Sequence, residues 1–211
     1  MHQIATSYDA MAAVYAERFG DVELQHPLDR AIFSGFAGLL ERDGATAKAI
    51  AVADLGCGPG HWSAELASYG FDVVGIDGSA GLLAIARSRH PEVTFEQGDL
   101  GALALDDRSL DGAVAWFSLI HTEPAALDRL LRELARVLRP GGLLLTGFQV
   151  GDGTEPEAFD HRVVRAWRWP VDTLSRRLAA AGLTEVARGV REPEEGERLP
   201  GGHLVARRTG G

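Results

Sequence analysis

Apolar positions in the first forty or so residues recur at helical spacing. Tyr8, Met11, Ala12, Tyr15 and Phe19 share one helix face, and after Pro27 so do Leu28, Ile32, Phe33, Phe36, Leu39 and Leu40. Pro27 suits a first helical turn, where its missing N–H costs nothing. From residue 49 the pattern changes. AIAVADLG is a short apolar run ended by Asp and Gly, which reads as a buried parallel strand. A helix over 60–69, a strand over 72–77, a helix over 79–89 and strands over 93–99 and 111–119 follow. The stripe Leu127, Leu130, Leu131, Leu134 and Val137 predicts a helix from Pro124 to Arg139, stopped by Pro140, Gly141 and Gly142. A strand over 143–149 comes next, then an excursion over 150–169 rich in arginine and aromatic residues. A helix from Pro170 to Gly182 precedes two strands, 183–192 and 203–208, around a turn at 193–202. Such a turn predicts an antiparallel hairpin at the sheet edge.

Strands alternating with helices predict a parallel sheet covered on both faces. Ligands of such sheets bind at the carboxyl ends of the strands. There is no internal repeat and no long linker. The chain is expected to be one domain, with a helical cap over 1–42 and an α/β body over 43–211.

Composition narrows the class. The 211 residues are 45% hydrophobic and 24% charged, as in ordinary globular proteins, which excludes disordered and fibrous classes. The 26 glycines imply many tight loops. A net charge of -9 repels phosphate backbones and disfavours general nucleic-acid binding. Cys57 is the only cysteine, so no intramolecular disulfide can form and a reducing compartment is expected. The N-terminus has no positive n-region or continuous apolar stretch, and no segment approaches the roughly 20 apolar residues of a membrane span. A cytoplasmic location and no membrane partner are expected.

The chemistry begins at Asp54-Leu55-Gly56-Cys57-Gly58-Pro59-Gly60, directly after the first strand. Its glycines let the backbone turn sharply and approach a ligand, and the N–H groups of the following helix point at that ligand. A dinucleotide loop requires G-x-G-x-x-G, and here His61 stands where the third glycine would be. Asp54 disfavours a diphosphate and favours an ammonium or sulfonium cation. Asp77 ends the second strand, where a carboxylate can accept both ribose hydroxyls of an adenosine. Asp99, in Gln97-Gly98-Asp99-Leu100, ends the third and is placed to accept from an adenine amino group. An alternative for all three is the ordinary preference of Asp for strand-end turns.

DLGCGPG, the acidic end of DVVGID, EQGDL, the block LRELARVLRPGGLLL and the early SYDAMAAVYAERF together resemble the class I S-adenosylmethionine (SAM)-dependent methyltransferases, in particular their type 11-like small-molecule branch. The resemblance covers nearly the whole chain. It implies a Rossmann-like three-layer sandwich with a seven-stranded, mostly parallel sheet of order 3-2-1-4-5-7-6, strand 7 antiparallel, and N-terminal capping helices. It implies SAM as cofactor and S-adenosylhomocysteine as product. By resemblance Gly56, Gly58 and Gly60 line the methionine part, Asp77 holds the ribose, Asp99 and Leu100 frame the adenine, and Tyr8 and Tyr15 close over the cofactor. Gly78, Ser79 and Gly98 flank these carboxylates and belong to the same expected surface. The implied reaction moves a methyl group to an O or N atom of a small-molecule acceptor.

Other residues carry two readings each. Cys57 is a small filler of the loop or a backbone contact. Trp62 is core or a pocket wall. Trp116, Phe117, Ser118 and His121 end the fourth strand, where a sulfonium faces its acceptor, and His121 either has the pKa range of a general base or bonds the N-terminal region of the following helix. His161, Arg162, Arg165, Trp167, Arg168 and Trp169 are either amphipathic packing or a wall that recognises an acidic or aromatic acceptor. No metal-ligand spacing and no nucleophile elbow occur. Two further functions stay open: a SAM-binding protein without methyl transfer, and an RNA or protein methyltransferase, which the charge disfavours. A monomer and a homodimer are equally compatible with the chain.

Overall fold

Two amphipathic helices lead the chain, α1 (His2–Phe19) and α2 (Pro27–Asp43). The body follows as β1 (Ala51–Leu55), α3 (His61–Ser68), β2 (Asp72–Asp77), α4 (Ala80–Arg89), β3 (Thr94–Gln97), β4 (Leu110–Trp116), α5 (Pro124–Val137) and β5 (Leu138–Gln149). It closes with β6 (Glu157–Phe159), β7 (Ala166–Arg168), α6 (Val171–Ala180), β8 (Leu183–Arg191) and β9 (Gly201–Arg208). This computed structural model describes residues 2–43, 49–194 and 197–210. Residues 44–48, where the body was expected to begin, and residues 195–196 of the terminal turn lie outside the described residues.

Seven strands pair in the order β3-β2-β1-β4-β5-β9-β8. The first five are parallel, and β9 runs antiparallel to both β5 and β8. This is the expected seven-stranded order with the last strand inserted antiparallel. Alternation along the strands feeds two cores. Ala53, Leu55, Ala113 and Ala115 face one, beneath α5 and α6, and Val52 and Val114 face the other, beneath α2, α3 and α4. The α5 stripe behaves as its spacing predicts: Leu127, Leu130, Leu131, Leu134 and Val137 are all buried. On α2 the stripe is narrower than its apolar residues suggest. Phe33, Phe36 and Leu40 are buried, whereas Leu28 is 53% exposed.

Three departures have local causes. β4 stops at Trp116 rather than running to 119, because Phe117 takes φ 51°, outside extended geometry, and a 3-10 turn covers Leu119–His121. β5 begins at Leu138 rather than at 143. Leu138 pairs with Leu110, the chain bulges through Gly141 at φ 85°, and pairing resumes at Gly112 with Leu143. The excursion over 150–169 contains the small antiparallel hairpin β6–β7, anchored to the main sheet by a parallel bridge from Val150 to Trp169. Trp169 is fully buried there.

Candidate functional site

The carboxyl edge of the sheet gathers the expected residues. Gly56, Gly58 and Gly60 all adopt left-handed φ, at 80°, 55° and 86°. A side chain at Gly60 would meet Phe95 Cζ at 2.7 Å, so this glycine is required by packing as well as by φ. Asp77 ties the loop to its own strand end. Its Oδ2 accepts from the Gly58 N–H at 2.9 Å and its Oδ1 from the Ser79 N–H at 2.8 Å. Burial pushes its carboxyl upward, and the backbone donors at Ser79 and Gly58 oppose that push. Ser79 caps α4 by accepting from the Leu82 N–H at 3.1 Å and donates its hydroxyl to Asp9 Oδ1 at 2.6 Å. Asp9 also accepts from the Gly81 N–H at 2.8 Å, so α1 is pinned to the start of α4.

Between α1 and the strand ends lies a cavity of about 530 Å³. Tyr8, Tyr15, Gly56, Gly58, Asp77, Gly78, Gly98, Asp99, Leu100, Trp116, Phe117 and His121 line it. No arginine or lysine stands among its lining residues, and Asp77 and Asp99 are its carboxylates. Asp99 Oδ1 accepts from the Gly101 N–H at 2.7 Å.

Five expected residues stand behind the wall. Asp54 is buried and its Oδ2 accepts from the Ser63 hydroxyl at 2.6 Å. Trp62 is buried and stacks on Phe33 at 3.6 Å between ring centroids, away from the lining. Cys57 turns its thiol inward, and burial raises it well above the usual thiol range. Gly60 packs on Phe95, and Ser79 serves the cap of α4. Asp54 stands at the end of β1, and the other four stand on the glycine loop and the starts of α3 and α4.

Six lining residues have no site role in the sequence pattern: Ile4, Ala5, Leu82, Gln97, Thr122 and Leu130. Ile4 and Ala5 precede Tyr8 by one helical turn, so the α1 periodicity already contains them. Leu130 also belongs to the core stripe of α5. Ser118, expected at the end of the fourth strand, lines the cavity, and its hydroxyl is buried without a hydrogen-bond partner.

The β4 end of the cavity is held by side chains. Tyr8 Oη stands 2.8 Å from His121 Nε2, and His121 Nδ1 stands 3.3 Å from the Arg165 carbonyl. A carbonyl only accepts, so the proton sits on Nδ1, and Nε2 accepts from the tyrosine hydroxyl. Burial lowers His121 to about 4, so the ring is neutral near pH 7. Burial raises Tyr15 to about 12 and Tyr8 further, and the Asp77 charge adds to both. His161 packs edge-on to His121 at 5.0 Å. Among the described residues, no group of three or more His, Cys, Asp or Glu is placed to hold a metal ion.

These residues fit an adenosine with an amino-acid tail. Gly58 leaves the floor open beneath Tyr15, the buried Ser118 hydroxyl awaits a polar partner, and the carboxylates repel phosphate. The family described as Methyltransferase domain matches residues 52–142. Over that stretch the chain is similar to a methyltransferase domain. A demethylmenaquinone methyltransferase of Paenarthrobacter aurescens is 36% identical over 137 residues, 64% of this chain and 49% of that protein. Among solved structures, the 1,6-didemethyltoxoflavin-N1-methyltransferase of Burkholderia thailandensis is 21% identical, with TM-score 0.73 over 99% of this chain and 90% of that one. The cyclase SpnF is 20% identical, with TM-score 0.76 over 100% of this chain and 97% of that one. The chain spans about half the length, or less, of the first curated relatives it matches. Among its described residues, no helix is long and apolar enough to cross a membrane.

Proposed function

We propose that this chain binds SAM in the cavity under α1 and transfers its methyl group to an O or N atom of a small-molecule acceptor. The observation that carries this reading is the row of groups along the sheet edge: Asp99 after β3, Asp77 ending β2, the glycine loop after β1 and His121 after β4. Bound there, SAM supplies an electrophilic methyl on a sulfonium whose leaving group is a neutral thioether. The protein's part is alignment and exclusion of water. Each Asp77 oxygen already accepts one backbone N–H and keeps a lone pair for a ribose hydroxyl. Asp99 and Leu100 frame the adenine, and Tyr8 and Tyr15 cover the ligand from α1. His121, neutral and with its proton on Nδ1, is the base for an acceptor that must lose a proton, and Tyr8 occupies Nε2 until the acceptor takes its place. Residues 1–42 act as the cap of the body. A small acceptor suits a cavity of about 530 Å³ shared with the cofactor. The protein is expected to work in the cytoplasm, without nucleic acid, as a monomer or homodimer.

Calorimetry with SAM and with S-adenosylhomocysteine tests the cofactor, and binding in the micromolar range is expected. Absence of binding to both sinks the reading. Incubation with SAM and a panel of phenols, carboxylic acids and amines, read by mass spectrometry, tests transfer. One observation favours a second reading, SAM binding without methyl transfer: Tyr8 already occupies the only basic nitrogen facing the cavity, and the cyclase SpnF shares the fold. Under it, no panel member gains a methyl while S-adenosylhomocysteine still binds.

A further inference from the structure

Asp54 is a buried carboxyl group. It stands on β1 directly below the glycine loop, and its side-chain donor is the Ser63 hydroxyl of α3. Among the described residues, no arginine, lysine or histidine is among the groups acting on it. Its neighbours along the sheet are Gly75 of β2 and Val114 of β4. The ionisable groups that face it are Asp77 from β2 and the Cys57 thiol from the loop, and neither carries positive charge. Buried charges in proteins are paired or else neutralised by a shifted pKa. A cation is expected only in the cavity above the loop, where SAM would bring its sulfonium and ammonium.

We propose that Asp54 distinguishes the cationic cofactor from its product by proton exchange: neutral in the free protein, it gives its proton to solvent when the sulfonium binds and regains one after the methyl has left. This inference rests on the cofactor reading above. The balance is simple. Binding converts the Asp54 carboxyl and SAM into carboxylate and SAM plus one solvent proton. Transfer turns the sulfonium into a neutral thioether, the field that held the carboxylate falls to that of the ammonium which both ligands share, and a proton returns. Product binding is then weaker than cofactor binding where the carboxylate persists, which favours release.

The electrostatics agree in direction. Burial pushes the Asp54 carboxyl up to about 7, with Ser63 opposing and Asp77 assisting. A nearby positive charge pushes it down again. SAM affinity therefore rises as pH rises through the free-protein value, because less binding energy goes into removing the proton. Affinity for S-adenosylhomocysteine, whose sulfur is uncharged and which brings only the ammonium, rises less steeply.

The test is calorimetry of SAM and S-adenosylhomocysteine in buffers of different ionisation enthalpy, over about pH 6 to 8. Near neutrality SAM is expected to release more protons than S-adenosylhomocysteine, and the affinity ratio of SAM to S-adenosylhomocysteine to rise about tenfold across the range, the equivalent of a one-unit shift. Asp54→Asn keeps the size and the Ser63 bond. It should abolish the excess proton release and leave a low, flat ratio. The ligands' own amino groups titrate alike in both proteins, so the variant isolates Asp54. Equal proton release for the two ligands in the wild type overturns the proposal, as does undiminished release in Asp54→Asn. If that variant does not fold, the wild-type comparison decides. Failure of both ligands to bind defeats the cofactor reading itself, a different outcome from binding without proton exchange.

Discussion

The two ends of the cavity are built from different materials. From β1 to β3 the cavity is lined by glycine backbone and strand-end carboxylates, with the left-handed glycine loop held by Asp77 on Gly58 and Ser79. At β4 the surface is side chain, and its order depends on Tyr8 of α1, His121 and the Arg165 carbonyl meeting across three separate segments. The first end is specified by two adjacent strand-to-helix turns. The second exists only while α1 and the excursion after β5 are both docked. A common donor needs the first kind of site, and an acceptor that differs between enzymes is served by the second.

Substitutions can break each end separately. The largest effect is expected at Gly60→Val, where a β-branched side chain meets both the positive φ and the Phe95 ring. A loss of about 3–5 kcal/mol in urea-unfolding stability is expected, and a change under about 1 kcal/mol contradicts the packing requirement. At the other end, His121→Ala should lower kcat about 100-fold with the acceptor found in the panel, while S-adenosylhomocysteine affinity stays within about twofold. Equal loss of binding would place His121 in the donor site instead. Asp77→Ala should do the reverse, weakening S-adenosylhomocysteine by about 1.5–3 kcal/mol, the scale of hydrogen bonds to a charged group.

A subtler change sharpens the contrast through pH. Burial holds the His121 pKa at about 4, so the acid limb of the rate should lie well below the ordinary histidine range. Tyr8→Phe removes the donor that favours neutral imidazole, which raises the His121 pKa and moves the acid limb to higher pH. A limb that stays in place excludes His121 as the base. The same shift predicts a stability contribution present above the unfolded histidine value, about 6.5, and lost as pH falls toward the folded one. The smallest effect is expected far from both ends. Arg30→Ala removes an exposed ion pair with Glu23 and should cost no more than about 0.5 kcal/mol.

Much of this was legible in the chain alone. Alternating strands and helices, the terminal hairpin and the α5 stripe follow from local periodicity, and periodicity survives folding because each element buries one face. The β6–β7 hairpin was not legible, because strands of three residues are too short to show alternation. Trp62 showed the opposite failure: its place beside the loop suggested a pocket wall, yet the α3 helix turns it onto Phe33.

The amino-acid sequence by itself determined the glycine loop and the aspartates at the ends of the strands. Glycine spacing acts on the backbone within a few residues of itself, so its consequence is local. Tertiary structure alone decided the acceptor half and the state of the carboxylates. Tyr8 reaches His121 across 113 positions, and the ring's tautomer depends on a carbonyl 44 positions further on. Asp54 read in the chain as a neighbour for a cation. Only burial, which follows from packing β1 under α3, pushes its carboxyl up to about 7, where a nearby cation can decide whether it keeps its proton.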